Sequence, residues 1–190
     1  MTDDLRLLVR RCLDGEQSAM QQLVERFRNQ VFGLCFRMLG QRQDAEDATQ
    51  ETLLRMLRSL GRWDPARDFE PWLLAIAGNR CRTALASRMN RPKPQEIIEP
   101  VADHRDNDHQ RALLAEEVAR ALDRIRDEYR QAFLLFHEQQ LSYQEIAAAL
   151  DCPVGTAKTW VHRARQGLIA QLSQRGVVEE RRNEVRRVSS

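Results

Sequence analysis

The sequence predicts an all-α protein made of two small helical domains joined by a flexible linker, the C-terminal one containing a helix-turn-helix. Three observations predict it. Apolar residues recur every three or four positions through two long stretches. Gly and Pro number only 8 and 6 in 190 residues. Between residues 89 and 108 the periodicity disappears, and Pro92, Pro94 and Pro100 stand among acidic residues, where proline removes a donor and restricts its predecessor. The boundaries follow as residues 1–88, a linker 89–108, residues 109–173 and an Arg-rich tail 174–190.

In the first domain, Met20, Leu23, Val24, Phe27, Val31, Leu34, Cys35 and Met38 fall on one helical face, and Gly40 suits the C-terminus of that helix. Ala45, Ala48, Thr49, Thr52, Leu53, Met56, Leu57 and Leu60 repeat the pattern up to Gly61, leaving Glu46, Asp47, Gln50, Glu51 and Arg58 on the other side. After the loop GRWDPARDFE, Pro71 suits a first helical position, and Trp72, Leu73, Ile76, Ala77, Cys81, Ala84 and Leu85 mark a core face. Its outer face carries Asn79, Arg80, Arg82 and Arg88; by themselves the arginines read as a solvated surface, and Asn79 beside them points to no function.

In the second domain, Leu113, Leu114, Val118, Ala121, Leu122 and Ile125 mark one helix, and Tyr129, Ala132, Phe133 and Phe136 another. Ser142 with Glu145 forms a capping box, and Leu141 with Ile146 has staple spacing, so a helix starts near Tyr143. Asp151 and Cys152 break it and Pro153 restarts the chain as a helix, which is the layout of a helix-turn-helix.

On that last helix Ala157, Val161, Ala164 and Leu168 face inward, while Gly155, Lys158, Thr159, His162 and Gln166 recur on the opposite face, flanked by Arg163 and Arg165. Residues 152–175 hold four cations and no Asp or Glu. A local basic stripe of this kind suits a major groove, with Lys and Arg donating to guanine acceptors and Thr meeting a base edge or methyl. Gly155 and Thr156 offer backbone donors to a phosphate at the helix N-terminus.

Composition narrows the function classes. The formal net charge is +2, from 30 basic and 28 acidic residues, so bulk charge decides nothing. No apolar run approaches the roughly 18 residues a membrane helix needs, and the N-terminal segment lacks a signal-peptide pattern, so a soluble cytoplasmic protein without membrane insertion is expected. Cys12, Cys35, Cys81 and Cys152 form no C-x-x-C pair and read mostly as buried small hydrophobes. His104 and His109 do not share a helical face, so neither a metal site nor a cofactor is expected. Without a phosphate loop or a nucleophile motif, an enzyme is not expected either. An autonomous repressor or activator and a protein-binding helical adaptor both remain compatible with these features.

Three segments, DAEDATQETLLRML at 44–57, FEPWLLAIAGNRCR at 69–82 and LSYQEIAAALDCPVGTAKTWVHRAR at 141–165, together resemble the bacterial sigma factors of the extracytoplasmic-function (ECF) group, promoter-specificity subunits of RNA polymerase. The resemblance spans roughly residues 5–172. It implies that Asp47, Gln50 and Glu51 face core polymerase at the β′ clamp helices, with a further contact to the β flap. It implies that the loop 61–70 and Asn79, Arg80 and Arg82 meet the minus-ten element, where a base is flipped out. It also implies that Thr156, Lys158, Thr159, His162, Arg163 and Arg165 meet the minus-thirty-five element, and it admits an anti-sigma protein as a further partner. Ala75 and Thr83 depart from residue types common in the family, and Trp160 and His162 occupy positions that vary in it.

Overall fold

A computed structural model of the chain describes residues 3–89 and 108–176, and every regular element among them is helical. The order is α1 (Asp3–Leu13), α2 (Gln17–Leu39), α3 (Arg42–Ser59), a 3-10 turn (Leu60–Arg62), α4 (Phe69–Met89), α5 (Asp108–Leu122), α6 (Asp127–His137), α7 (Tyr143–Leu150) and α8 (Val154–Gln174). The expected linker falls on residues 90–107, outside the described residues, apart from Met89 and Asp108, which belong to α4 and α5. Residues 177–190 of the expected tail also lie outside them.

Each half forms for legible reasons. Leu23, Phe27, Val31, Leu34, Cys35 and Met38 are buried along α2, which ends where Gly40 takes the left-handed conformation (φ 73°) and donates to Phe36 O. α3 buries Ala45, Ala48, Thr49, Thr52, Leu53 and Met56 against α2, and its two buried threonines return their hydroxyl protons to the carbonyls of Ala45 and Ala48. α4 starts at Phe69, two residues before the expected position, because Pro71 in the first turn lacks only a donor that would have no intrahelical partner there. Phe69, 1% exposed, gathers Phe27, Trp63 and Trp72 around it at centroid distances of 5.1–5.3 Å, which pins the loop before α4 to the core.

α1 is an element the sequence reading did not single out. Its stripe of Leu5, Leu8, Val9 and Cys12 is buried, and Arg26 reaches from α2 to Asp4 at 3.0 Å. Where α1 meets α2, the Glu16 carboxylate accepts from Arg11 and Ser18, which lowers its pKa to about 2.

In the second half the expected capping box is present: Ser142 Oγ accepts from Glu145 N, and the Glu145 carboxylate accepts from Ser142 N at 2.7 Å. Leu141 and Ile146, the staple pair, are both buried. Asp151 ends α7 in the left-handed conformation (φ 50°), and Pro153 stands as the N-cap of α8 rather than its first residue. α8 runs through Gln174, and Arg175 donates to Glu117 on α5 at 2.5 Å, so the tail begins later than its composition suggests.

α6 departs most from its expected face. Arg130, Gln131, Ala132, Leu134 and Leu135 are buried, whereas Tyr129, Phe133 and Phe136 are half-buried at the edge. Arg130, 3% exposed, is neutralised by Asp123 at 2.8 Å and Asp127 at 2.9 Å, which is what permits a guanidinium inside.

The two halves share one continuous core, because α4 packs against α2 and α3 of its own half and against α6 and α7 of the other. Cys12, Cys35 and Cys81 are buried free thiols, as expected. Hydrogen bonding to Cys35, together with burial, pushes the Cys81 thiol far above the ordinary cysteine value.

Replacing Ser142 by Ala removes one half of the capping box and is expected to lower stability by about 1 kcal/mol. Urea unfolding should show a lower midpoint with an unchanged slope. An unchanged midpoint would show that the box contributes nothing.

Candidate nucleic-acid interface

Three surfaces carry the predicted residues. The first is the outer side of α3. Asp47 and Gln50 are exposed and Glu51 is half-buried, and Asp47 stands one turn before the other two, three and four residues away on the helix. Leu54, one turn further on, is 45% exposed, an apolar member of this face that the hydrophobic pattern alone assigns to no surface. Glu51 does not stand clear: it accepts from Arg80 Nη2 at 2.8 Å. The structure therefore joins a residue expected at the polymerase contact to one expected on DNA.

The second surface lies where α3, the 3-10 turn and α4 meet. A surface recess of about 410 Å³ is lined by Arg55, Arg58, Ser59, Arg62, Ile76 and Asn79. Three guanidiniums around an apolar side chain and an amide favour a group that is flat and partly apolar and hangs from an anionic backbone. Asn79 is exposed, and its Oδ1 accepts from Arg82 Nη2, so the amide hydrogens are what it offers to a ligand. Arg62 belongs to the loop 61–70 expected at the minus-ten element, whereas Arg55 and Arg58 do not figure among the expected site residues, although the three- and four-residue spacing of the three arginines on one side of the chain is a signal that could have found them.

The third surface is α8. Ala157, Val161 and Ala164 are buried, Leu168 is half-buried, and Lys158, Thr159, His162, Arg163, Arg165 and Gln166 are exposed, as the spacing predicts. Thr159 Oγ1 donates to Gly155 O at 2.7 Å, so toward a groove it presents an acceptor and a methyl group, not a donor. Thr156 is half-buried, and its backbone N–H donates to Pro153 O at 2.9 Å. The expected phosphate donor at that residue is therefore already used within the first turn.

The two arginines of this face lean on α6. Arg163 Nη1 donates to Tyr129 Oη at 2.9 Å with its guanidinium 5.8 Å from the ring centroid, and that hydrogen bond lowers the tyrosine pKa. Arg165 Nη2 lies 3.2 Å from His137 Nε2. Burial, assisted by the Arg165 charge, lowers the His137 pKa, so the ring is neutral near pH 7 and its Nε2 can accept from Arg165. Tyr129 and His137 are the supporting residues that sequence spacing does not reveal, because they sit 34 and 28 residues from their partners.

Among the described residues no cluster of His, Cys, Asp and Glu could hold a metal ion, and no helix is long and apolar enough to cross a membrane.

Comparison with known proteins agrees with this geometry. The Sigma-70 region 2 family pattern matches residues 23–91 and the Sigma-70, region 4 pattern matches residues 115–168. The RNA polymerase sigma-H factor of Pseudomonas aeruginosa is 30% identical over 173 residues, covering 85% of this chain and 90% of that protein. The ECF RNA polymerase sigma factor SigW of Bacillus subtilis is 30% identical over 182 residues, covering 83% and 91%. Among solved structures, that of CnrH in complex with the cytosolic domain of CnrY aligns with a TM-score of 0.65 and 26% identity over 89% of this chain and 97% of that one. The sigma factor RpoE from Bartonella quintana, solved with the anti-sigma factor NepR, shares the fold, with a TM-score of 0.66 and 22% identity over 80% and 96% of the two chains.

Histidine titration followed by NMR should give His137 a midpoint below the ordinary 6.5, and Arg165→Ala should move it upward, since that substitution removes a nearby positive charge. A midpoint at or above 6.5 would contradict the burial of this ring.

Proposed function

Because the chain belongs to the ECF sigma factors of the sigma-70 family, we propose that it loads onto core RNA polymerase through the outer side of α3 and reads a two-part promoter, without chemistry of its own. The observation that carries this reading is the placement of a cationic recess and a basic helix face on separate halves of one chain, beside an acidic face that carries an exposed leucine.

Asp47 and Gln50, with Leu54 as the apolar anchor, form the contact to the β′ clamp helices, and Glu51 shares its charge between that contact and Arg80. Burying an exposed leucine at the centre of a polar rim supplies affinity, while the charges supply orientation. The second half adds the β-flap contact.

The recess beside Asn79 takes the flipped base of the minus-ten element. Arg55, Arg58 and Arg62 hold the flanking phosphates, Asn79 donates to the base edge, and Arg82 fixes the amide. A base leaves the stack at least cost where stacking is weak, so an A/T-rich step favours this readout.

α8 enters the major groove at the minus-thirty-five element. Lys158 and Arg163 donate to base or phosphate acceptors, Thr159 accepts from an exocyclic amine or packs on a thymine methyl, His162 lies along the same face, and Arg165 meets the backbone. Such a factor works in the cytoplasm, with polymerase and DNA. CnrH, 26% identical, was solved with the cytosolic domain of a second protein, CnrY, which supports a regulatory protein partner, such as the anti-sigma protein the resemblance admits, for this chain as well. An autonomous repressor would need neither the acidic α3 face nor the minus-ten recess.

Run-off transcription with purified core polymerase, on promoters mapped after overexpression, tests the assignment: a specific transcript is expected only when this chain is added. Lys158→Ala or Arg163→Ala should weaken minus-thirty-five discrimination by about 1–3 kcal/mol where a bidentate base contact is lost. Asp47→Lys should reduce polymerase loading and leave α8 binding to DNA intact. No specific transcript in any of these reactions would sink the sigma assignment.

A further inference from the structure

The hydrogen bond between Arg163 and Tyr129 belongs to a larger cluster on the α6 side of α8. Arg163 Nη1 donates to Tyr129 Oη at 2.9 Å, and its guanidinium lies 5.8 Å from the ring centroid. Arg126, the N-cap residue of α6, places its own guanidinium 5.3 Å from the same centroid. Trp160 of α8 backs the ring, with centroids 6.4 Å apart. Two positive charges are thus gathered on one neutral phenol. Glu128 stands 3.7 Å from Nε of Arg126, whose side chain is 70% exposed, so it offsets that charge weakly. Among the described residues Arg163 has no carboxylate within ion-pair distance. Cations held together without neutralisation favour an arriving anion. Tyr129 accepts from Arg163, which leaves its own proton to donate. That hydrogen bond, with the charges of both arginines, lowers the tyrosine pKa and makes the hydroxyl a better donor.

The register of α8 says which anion. At about 100° per residue, Lys158, His162, Gln166 and Thr159 fill a sector of about 100°. Arg163 falls about 40° beyond Thr159, and Arg165 about 20° beyond Lys158 on the opposite border. A helix roughly 10–12 Å across fills a major groove about 12 Å wide, so the middle of the stripe meets base edges and its borders meet the two backbones. Arg163 leans outward from the stripe toward α6, where Arg126 and Tyr129 wait on the same border.

We propose that Arg126, Tyr129 and Arg163 together seat one backbone phosphate at the border of the minus-thirty-five groove, so that Arg126 and Tyr129 are DNA-binding residues and Arg163 serves the backbone rather than a base. The proposal rests on the placement of α8 in that groove. Both guanidiniums pair with phosphate oxygens and the Tyr129 hydroxyl donates to the same group. The seat carries no sequence information, but it fixes the register in which Lys158 meets the bases.

The test uses polymerase reconstituted with the full chain or with Arg126→Ala, Tyr129→Phe, Arg163→Ala or Lys158→Ala. Each is bound to promoter duplexes over a salt series, and to duplexes in which single phosphates beside the minus-thirty-five element are replaced by neutral methylphosphonates. Arg126→Ala and Arg163→Ala should each weaken binding about fivefold, equally on every base variant of the element. Each should also make the salt dependence shallower by about 0.9 in log–log slope. Tyr129→Phe, which keeps the ring, should cost about threefold with the slope unchanged. One methylphosphonate should reproduce the arginine losses in the unaltered chain and add nothing to them in Arg126→Ala or Arg163→Ala. Lys158→Ala, by contrast, should change the ranking of the base variants.

Unchanged affinity and slope in Arg126→Ala, an Arg163→Ala loss confined to one base pair, or methylphosphonate losses additive with both arginine variants would each overturn the seat. Competition by inorganic phosphate at constant ionic strength, with no methylphosphonate effect, would assign the cluster to a free anion and overturn the DNA assignment. If Lys158→Ala alone behaves as described, the seat fails and the promoter reading stands; if Lys158→Ala is silent as well, both fail.

Discussion

Everything in this structure depends on α4 being enclosed from two sides. Residues 77 and 78 are buried, 79 is exposed, 80 is half-buried and 81 is buried. With about 100° between successive side chains, burying Gly78 and Cys81 forces Asn79 outward and holds Arg80 at the boundary. The position of the recess is thus a consequence of core packing. Gly78 is the price of admission for α6, since any larger residue would occupy the volume of the Gln131 amide.

The same economy governs the charged side chains. Arg80 leans on Glu51, Arg82 on Asn79, Arg163 on Tyr129 and Arg165 on His137. Each pair spends side-chain entropy during folding that would otherwise be spent on binding, so the guanidiniums are presented in a narrowed set of positions. These contacts are largely exposed and add little stability. Their worth lies in orientation. Glu51–Arg80 also ties the acidic face of α3 to α4, next in sequence to Asn79 of the recess.

Local periodicity and capping chemistry were enough to read much of this from the sequence. The capping box at Ser142 and Glu145, the break at Asp151 and the outward register of Lys158, Thr159 and His162 all depend on residues within one or two turns of one another. α1 escaped because Leu7 and Leu13, each 56% exposed, blur a stripe only four residues strong. The inner face of α6 escaped because Arg130 and Gln131 do not register as core residues, and only the carboxylates of Asp123 and Asp127 close by in the chain, together with Gly78 brought in from α4, make their burial intelligible. The recess needed tertiary structure too, since Ile76 and Asn79 reach Arg55 and Arg58 only after the chain has turned at Trp63.

The weak net charge bears directly on selectivity. A chain of formal charge +2 with several of its arginines already engaged neutralises few phosphates, so its affinity for DNA alone is low and falls with salt. A factor with strong cations on both halves would settle on any duplex before meeting polymerase. Here the second DNA contact gains strength only once the first half is anchored and local concentration replaces bulk concentration. Selectivity therefore comes from requiring three modest contacts at once, each too weak to hold the chain by itself.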